Sequence, residues 1–410
     1  MDTRMMHAEL RIAIDVTPAV TQGAGIGRVA RELARALPLL DRETAYTYLY
    51  APPDNTGVIP AGWSPLPRMP EAAVRLPPLA TGFGPGGNVA MRRLPLSAKW
   101  TTRLWHRLHA PVAVERFTGA IDTYHTLDYT APPVGRARLL VTVHDLSFLA
   151  VPEHAEPRLA AYLAKVTPLS THRADRVVCV SAFTAREVIE RLGVPERRVV
   201  VVPNGVDGRF RPVQPGEREA ARAAVAPFVG DGNRPYLLAV GTIQPRKNYG
   251  TLLHAFARLR KAGYPHRLVI AGADGWRYEG VYATLHALDL AAHVTIAPPP
   301  DDLLPALYAA ADCAVAPAWY EGFGLSVLEA CAMGTPVVAS DIPPHREIGG
   351  DASRYAPPDD PAALAETIAA ALDEDDLSRA RRRALGLARA AAMGWGDATR
   401  ALLRVYREEV

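Results

Sequence analysis

The chain has 410 residues, 46 Lys and Arg against 43 Asp and Glu, and 49% hydrophobic residues. That length is too great for one ordinary domain, the composition is that of a soluble globular protein, and a net charge of +3 argues neither for nor against nucleic acid, for which no recognition motif is found. Cys179, Cys313 and Cys331 are odd in number and widely spaced, which excludes a disulfide framework and a zinc site and predicts buried free thiols in a reducing compartment.

The N-terminal MDTRMMHAELRIAIDV carries charges where a signal peptide needs an apolar core. No run reaches the roughly 18 apolar residues of a membrane span, so the expected location is the cytoplasm. The first predicted strand, 11–16 (RIAIDV), runs into TQGAGIGRVARELARAL and a helix over 26–38. Gly23, Gly25 and Gly27 would let the backbone approach a ligand. The third glycine of a dinucleotide fingerprint would fall on Arg28, and no acid follows a second strand at the required distance, so the motif is a poor dehydrogenase signature. It fits equally a loop that approaches a phosphate or sugar held by another domain, or a plain tight turn.

A strand at 46–50 follows. Residues 60–120 then break the pattern. Pro and Gly dominate as far as residue 87, and 91–116 become basic and aromatic, with Arg92, Arg93, Lys99, Arg103, Arg107 and Arg116, Trp100 and Trp105 against the single acid Glu115. This segment is either a surface excursion with solvated arginines or a patch facing an anionic membrane or acceptor. Strands at 138–143, 176–180 and 198–202 alternate with helices near 156–172 and 182–192. His144-Asp145 ends the first of these strands; the pair can bond sugar hydroxyls, or be a satisfied structural histidine and a turn cap. Residues 205–235 are rich in Pro, Gly and charge and read as a connection between two halves.

Beyond it, strands at 236–240, 267–271, 293–297, 313–316 and 336–339 alternate with helices near 248–262, 276–290, 302–311, 325–333 and 361–372. Alternation of this kind implies parallel sheets covered on both faces. The expected class is α/β: two doubly wound, Rossmann-like domains facing across a cleft, with ligands at the carboxyl ends of the strands. Two motifs fall at such ends. In GTIQPRKNYGTLL, Arg246 and Lys247 precede a helix whose macrodipole they oppose unless an anion lies between them. Lysine is scarce here, confined to positions 99, 165, 247 and 261, which singles out Lys247. In WYEGFGLSVLEACAMGTPVVAS, residues 319–340, Glu321 lies in a loop and Glu329 in the helix that follows. The amides of Phe323, Gly324 and Leu325 then form a cradle for a diphosphate, with one carboxylate for sugar hydroxyls and one for a ribose. The alternative is a solvated loop residue and a helix acid favoured by the dipole. Asp373-Glu374-Asp375 reads as a solvated turn, so no metal site is expected and diphosphate charge falls to Arg246, Lys247 and helix-terminal amides.

In chain order, GIGRVARELARAL, VTVHDLSFLAVPE, ADRVVCVSAFTAREV, VVVVPNGVD, VGTIQPRKN, AGADGWRYEGVY, DDLLPALYAAADCAVAPAWYEGFGLSVLEACAMGTPVVASD and the tail MGWGDATRALLRVYRE resemble family 4 of the retaining glycosyltransferases. The resemblance covers most of the chain outside 51–120. It implies the GT-B fold, with 1–207 as an acceptor-binding domain, 208–390 as a nucleotide-sugar-binding domain and 391–410 as a C-terminal helix returning to the first. It implies transfer of a hexose without metal or cofactor, with His144, Glu321, Arg246 and Lys247 as catalytic residues. Donor binding would fall to Gly25, Gly27, Thr242, Arg246, Lys247, Gly322, Phe323, Gly324, Leu325 and Glu329. Two positions depart from the family pattern: Thr242, where many members carry arginine, and Ser326, where many carry proline. The PRKN form is similar to that of enzymes building polysaccharides and lipid-linked glycans, which implies GDP-mannose as donor and a glycan or lipid-linked acceptor. Peripheral contact with the inner face of the cell membrane would then run through 91–116. No residue is an evident covalent nucleophile, so front-face substitution is the expected mechanism. A GT-B-fold nucleotide-sugar epimerase, acting on the donor without an acceptor, is the rival; the absence from this sequence of an evident acid/base pair around one sugar carbon counts against it.

Overall fold

The computed structural model describes residues 10–23, 25–53, 88–214, 216–230 and 234–408. The charged N-terminus up to residue 9, the Pro- and Gly-rich stretch up to residue 87 and residues 231–233 of the connection lie outside the described residues. The first part of the chain forms β1 (Arg11–Asp15), α1 (Thr17–Thr21), α2 (Ile26–Leu40), β2 (Ala45–Tyr50), β3 (Val89–Arg93), α3 (Ala98–Thr102), α4 (Glu115–Thr118), β4 (Thr123–Thr126), β5 (Arg138–Val143), α5 (Ser147–Ala150), α6 (Pro157–Arg173), β6 (Arg176–Cys179), α7 (Ala182–Leu192) and β7 (Val199–Val201). The second part forms α8 (Glu217–Val229), β8 (Tyr236–Val240), α9 (Tyr249–Lys261), β9 (Arg267–Ala271), α10 (Glu279–Ala287), β10 (Val294–Ala297), α11 (Leu304–Ala310), β11 (Cys313–Ala316), α12 (Leu325–Met333), β12 (Val337–Ser340), α13 (Pro343–Gly349), β13 (Ser353–Ala356), α14 (Pro361–Leu372), α15 (Asp376–Ala391) and α16 (Trp395–Arg407).

Two parallel sheets result, ordered β3-β2-β1-β4-β5-β6-β7 and β10-β9-β8-β11-β12-β13. Each winds outward for three strands, returns to the middle and winds the other way. Strand order therefore reverses at β1/β4 in the first sheet and at β8/β11 in the second, and crevices of this kind at strand ends are where doubly wound folds take ligands. This is the two-domain GT-B architecture. Among the described residues no helix is long and apolar enough to cross a membrane.

Three strands escaped the sequence reading. β4 is the instructive one: Thr123, Tyr124, His125 and Thr126 are polar letters, yet all four are buried. His125 is bonded on both ring nitrogens, to Tyr406 Oη at 2.7 Å and Thr142 Oγ1 at 2.8 Å. Tyr124 and Thr126 also donate their hydroxyls, to Asp15 and to Thr130 O, and with only Thr123 Oγ1 of this strand left without a partner among the described residues, a polar strand tolerates the middle of a sheet. The His125–Tyr406 bond ties α16 to the first sheet. Leu402 and Leu403 of α16 share a core with Val29 and Leu33 of α2, each buried leucine contributing about 1.5–3 kcal/mol.

The connection 205–235 is also more structured than its composition suggests. It contains α8, whose Val225 and Val229 pack with Leu304, Leu307 and Tyr308 of α11, so this stretch covers the second sheet. The cysteines are buried and free as expected; burial pushes Cys179 up to about 12 and Cys331 to about 11, which keeps them protonated and inert. In the basic segment, Trp105 is core, its Nε1 donating to Val112 O at 2.9 Å. Trp100 is the exposed tryptophan, at 55%, and β3 with Arg92 and Arg93 is the edge strand of the first sheet.

Candidate functional site

The loop between β11 and α12 is fixed by glycine geometry and by the opposite half of the molecule. Gly324 caps α12 with φ 103°, the left-handed region that favours glycine. At Gly322 a Cβ would lie 1.8 Å from the His144 carbonyl oxygen, so the loop presses directly on the end of β5. Across the same contact, Ser181 and Thr184 hydroxyls donate to the Gly322 carbonyl. The Tyr320 hydroxyl accepts from the Leu146 amide at 2.9 Å and donates to the Glu187 carboxylate. Glu347 of α13 accepts from the Ala182 and Phe183 amides at the start of α7. The two halves thus meet through hydrogen bonds at the carboxyl ends of their strands.

Glu321 lies in this loop between two cations. Lys247 Nζ is 2.6 Å from Oε1 and Arg246 Nη1 is 3.0 Å from Oε2. All three side chains are mostly buried, at 13–18% exposure. Burial would raise the Glu321 carboxyl, but Lys247 and then Arg246 outweigh it and hold it down to about 2. Burial would lower Arg246, but Glu321 and Asp145 raise it above its ordinary value. Arg246 also donates to Tyr320 O at 2.8 Å, and its own carbonyl accepts from Trp319 N at 2.9 Å, so the β8 and β11 loops are sewn together. The anion that reconciles two cations with the helix dipole is, in this structure, Glu321 itself. Lys247 lies across Gly241, where a Cβ would come within 3.0 Å of Cε; the glycine, at φ 141°, makes room for the amine.

Glu329 projects from the second turn of α12 and is 4% exposed. Tyr308 Oη donates to one oxygen at 3.0 Å, and Arg28 of α2 donates to the other. Burial raises the Glu329 carboxyl above its ordinary value, with Arg28 and Tyr308 opposing. Arg28 also lies 3.4 Å from Asp301, which Arg209 holds at 2.9 Å.

His144 stands at the end of β5, buried, and touches the glutamate loop through its backbone; its Nε2–H donates to Leu127 O at 2.8 Å, which assigns the tautomer and gives the ring a structural anchor. Asp145 caps the next turn, accepting from Ser147 N at 2.9 Å. Gly25 starts α2 with φ 55° and none of the described residues within 4 Å of a Cβ, whereas Gly27 is packed: a Cβ there would lie 2.0 Å from Gln22 O. Arg31 bonds the carbonyls of Ala19, Gln22 and Gly23 and fixes this loop. Thr242 directs its methyl at the turn after β9, where a Cβ on Gly275 would meet it at 2.7 Å. Phe323 is buried in the core of the second half, leaving backbone rather than side chain for a ligand, as at Leu325, the first residue of α12. The Asp373-Glu374-Asp375 turn is not simply solvated: Glu374 is 4% exposed and paired with Arg354 and Arg382, and Asp375 caps α15. Among the described residues no group of three His, Cys, Asp or Glu side chains is placed to hold a metal.

Two residues at the site escaped the sequence reading. Arg28 stands in the sequence only as the position where a dinucleotide fingerprint would need its third glycine. His345 of α13 lies under the glutamate loop, 1% exposed, its Cδ2 3.3 Å from where a Gly324 Cβ would be. Nδ1 donates to Ser340 O at 3.1 Å, and Nε2 is buried with no partner among the described residues. Burial pushes this imidazole down to about 4, although Glu321 pulls the other way. A histidine in PPHRE carries no spacing signal that would have marked it.

Comparison with known proteins bears on this arrangement. The model of Glycosyltransferase Family 4 matches residues 23–209, and that of Glycosyl transferases group 1 matches 225–385. The O-antigen chain mannosyltransferase B of Escherichia coli is 29% identical over 97% of this chain and 100% of its own length. Among solved structures, WaaG, a glycosyltransferase involved in lipopolysaccharide biosynthesis, superposes with a TM-score of 0.70 at 16% identity, covering 97% of this chain and 100% of that one. Anabaena Alr3699/HepE in complex with UDP-glucose superposes with 0.68 at 16% identity, covering 97% and 99%. The two structures share the fold.

Proposed function

This chain belongs to the glycosyltransferases built from a family 4 half and a group 1 half, and we propose that it moves mannose from GDP-mannose to a glycan or lipid-linked acceptor with retention of configuration and without metal or cofactor. The observation that carries the reading is the convergence of Glu321, Arg246 and Lys247 beside the start of α12, at the strand-order reversal of the second sheet. Mannose is supported by the full-length similarity to a mannosyltransferase, and a nucleotide-sugar donor by the ligand of the HepE structure. Residues 1–207 with the tail 391–410 form the acceptor side in this reading, and 208–390 the donor side.

In the reaction, the bond between the sugar's anomeric carbon and the β-phosphate oxygen breaks. The acceptor hydroxyl oxygen bonds the same face of that carbon, and its proton passes to the leaving phosphate. Negative charge grows on that phosphate. Lys247, Arg246 and the amides at Phe323, Gly324 and Leu325 stabilise it from fixed positions, and losing one such donor costs roughly 3–4 kcal/mol in a comparable site. Glu321, released when donor binding turns the cations to the phosphate ahead of the reaction, accepts from hydroxyls of the sugar. Glu329 accepts from the ribose, and His144 borders the sugar on the acceptor side. Residues 91–116 place a membrane or lipid-linked acceptor at the edge of the first sheet; exposed Trp100, Leu108 at 74%, Arg92, Arg93 and Arg107 and Arg103 stacked 4.8 Å over the Trp100 ring support that surface. The test is a panel of nucleotide sugars, assayed for released nucleotide with and without glycan acceptors. GDP-mannose should release GDP fastest, and faster with acceptor; a change in the sugar without nucleotide release would contradict a transferase.

A further inference from the structure

Arg28 is a cation in the first turn of α2, where the helix dipole disfavours positive charge. It crosses from the seven-stranded half to the six-stranded half and occupies an oxygen of Glu329, the carboxylate that a donor's ribose would need. Tyr308 holds the other oxygen. Glu329 is 4% exposed, so a ribose hydroxyl gains access only if Arg28 lets go. A guanidinium at 15% exposure would then be left largely desolvated, with Asp301 at 3.4 Å as its remaining acid, and that acid is already engaged by Arg209.

The distance to a better partner is short. Glu329 lies four residues after Leu325, the first residue of α12, which at 1.5 Å per residue is about 6 Å along the axis. Side chains on a helix lean toward its N-terminus, which narrows the gap further. A diphosphate seated at the start of α12 thus falls within reach of a guanidinium that touches Glu329. Gly25, at φ 55° with no other described residue within 4 Å of a Cβ there, leaves the start of α2 uncrowded by the described residues.

We propose that Arg28 is a built-in stand-in for the donor's ribose: it covers Glu329 until a nucleotide arrives, yields that carboxylate to the ribose, and turns to the diphosphate. Arg28 is on this account a donor-binding residue that couples nucleotide occupancy to the contact between the two halves. The inference rests on the donor-site reading given above. It differs from a plain structural ion pair in one respect: the pair opposes binding of a nucleoside and favours binding of a nucleoside diphosphate. A ligand whose site is covered most of the time has its affinity reduced by the uncovered fraction.

The test is calorimetric titration of the full chain with guanosine and with GDP, and in parallel with uridine and UDP, for wild type and Arg28→Met. Arg28→Met should tighten the nucleoside by about tenfold, because the competitor is gone, and weaken the diphosphate by about tenfold, because its cation is gone. In a Glu329→Gln background the tightening should vanish. A nucleoside affinity that is unchanged or weaker in Arg28→Met overturns the proposal, as does a diphosphate affinity that does not fall. Arg28→Gln gives the same two readings if the methionine variant does not fold. Failure of the donor-site reading looks different: neither GDP nor UDP would bind the wild type, and both ideas would go together.

Discussion

Glu321 and Glu329 lie eight positions apart on one loop-helix unit, and both are buried carboxylates with cationic partners, but the partners come from opposite directions. Glu321 is held by Arg246 and Lys247, which follow β8 in the same half. Glu329 is held by Arg28 from the other half. The first cluster therefore takes both its cations from one sheet, although the loop that carries Glu321 also presses on His144 and accepts from Ser181 in the other half. The second exists only while α2 approaches α12. Catalytic electrostatics that need no rearrangement at the moment of reaction belong on the first kind of site, and coupling of binding to closure belongs on the second. Breaking one partner out of a buried pair costs on the order of 3–5 kcal/mol when the other charge is stranded; at Glu321 the second cation remains, whereas at Glu329 Tyr308 alone is left.

The sharpest way to break this contrast is to remove its cations. Lys247→Ala should lower kcat by about 10²–10³ in a protein that still melts cooperatively; unchanged turnover would take Lys247 out of the site. Arg246→Ala should cost as much only if Arg246 supplies the charge that Thr242 lacks, so steady-state rates of the two variants rank the cations. Next come the carboxylates. Glu321→Gln should lower kcat while GDP affinity stays nearly intact, and Glu329→Gln should chiefly weaken GDP, a separation read by pairing turnover with titration. Equal loss of GDP affinity in both would erase the division of roles.

A smaller effect concerns acid. The folded-state carboxyl of Glu321 is depressed to about 2 from an ordinary 4.5, so its pairing contributes stability that is fully present above about 4.5 and is lost as pH falls toward 2. The melting-temperature gap between wild type and Glu321→Gln should hold from pH 7 to 5 and shrink below 4.5. A gap that shrinks between pH 7 and 5 would contradict the pairing. Smallest is the surface effect: flotation with anionic vesicles should weaken when Arg92, Arg103 and Arg107 are all changed to glutamine, each charge being worth about 1 kcal/mol near such a surface. Equal flotation with neutral vesicles, or none, returns 91–116 to a solvated edge.

The sequence carried most of the frame because the buried strands are apolar runs: RLLVTV and YLLAV could be little else, and Gly322-Phe323-Gly324 marked the turn into α12. It failed where burial is achieved by pairing rather than by apolarity. β4 hid because His125 looks solvent-seeking until Tyr406, 281 residues away, and Thr142 satisfy it. Arg28 hid for the same reason, since its carboxylate partner comes from the other half; His345 hid because a buried imidazole bonded only to Ser340 O, five residues earlier, leaves no periodic mark. α8 hid behind the Pro and Gly on either side of it. Trp105 reads as surface because its arginine neighbours outnumber acids, although its Nε1 is bonded inward to Val112.

The central claim is retaining transfer without metal, and proton NMR of the sugar released while the enzyme turns over GDP-mannose in EDTA tests it most directly. The account predicts that turnover persists and that the first sugar product, whether glycoside or free mannose, carries the α configuration of the donor. A β-configured first product, or activity that returns only with a divalent metal, would contradict it.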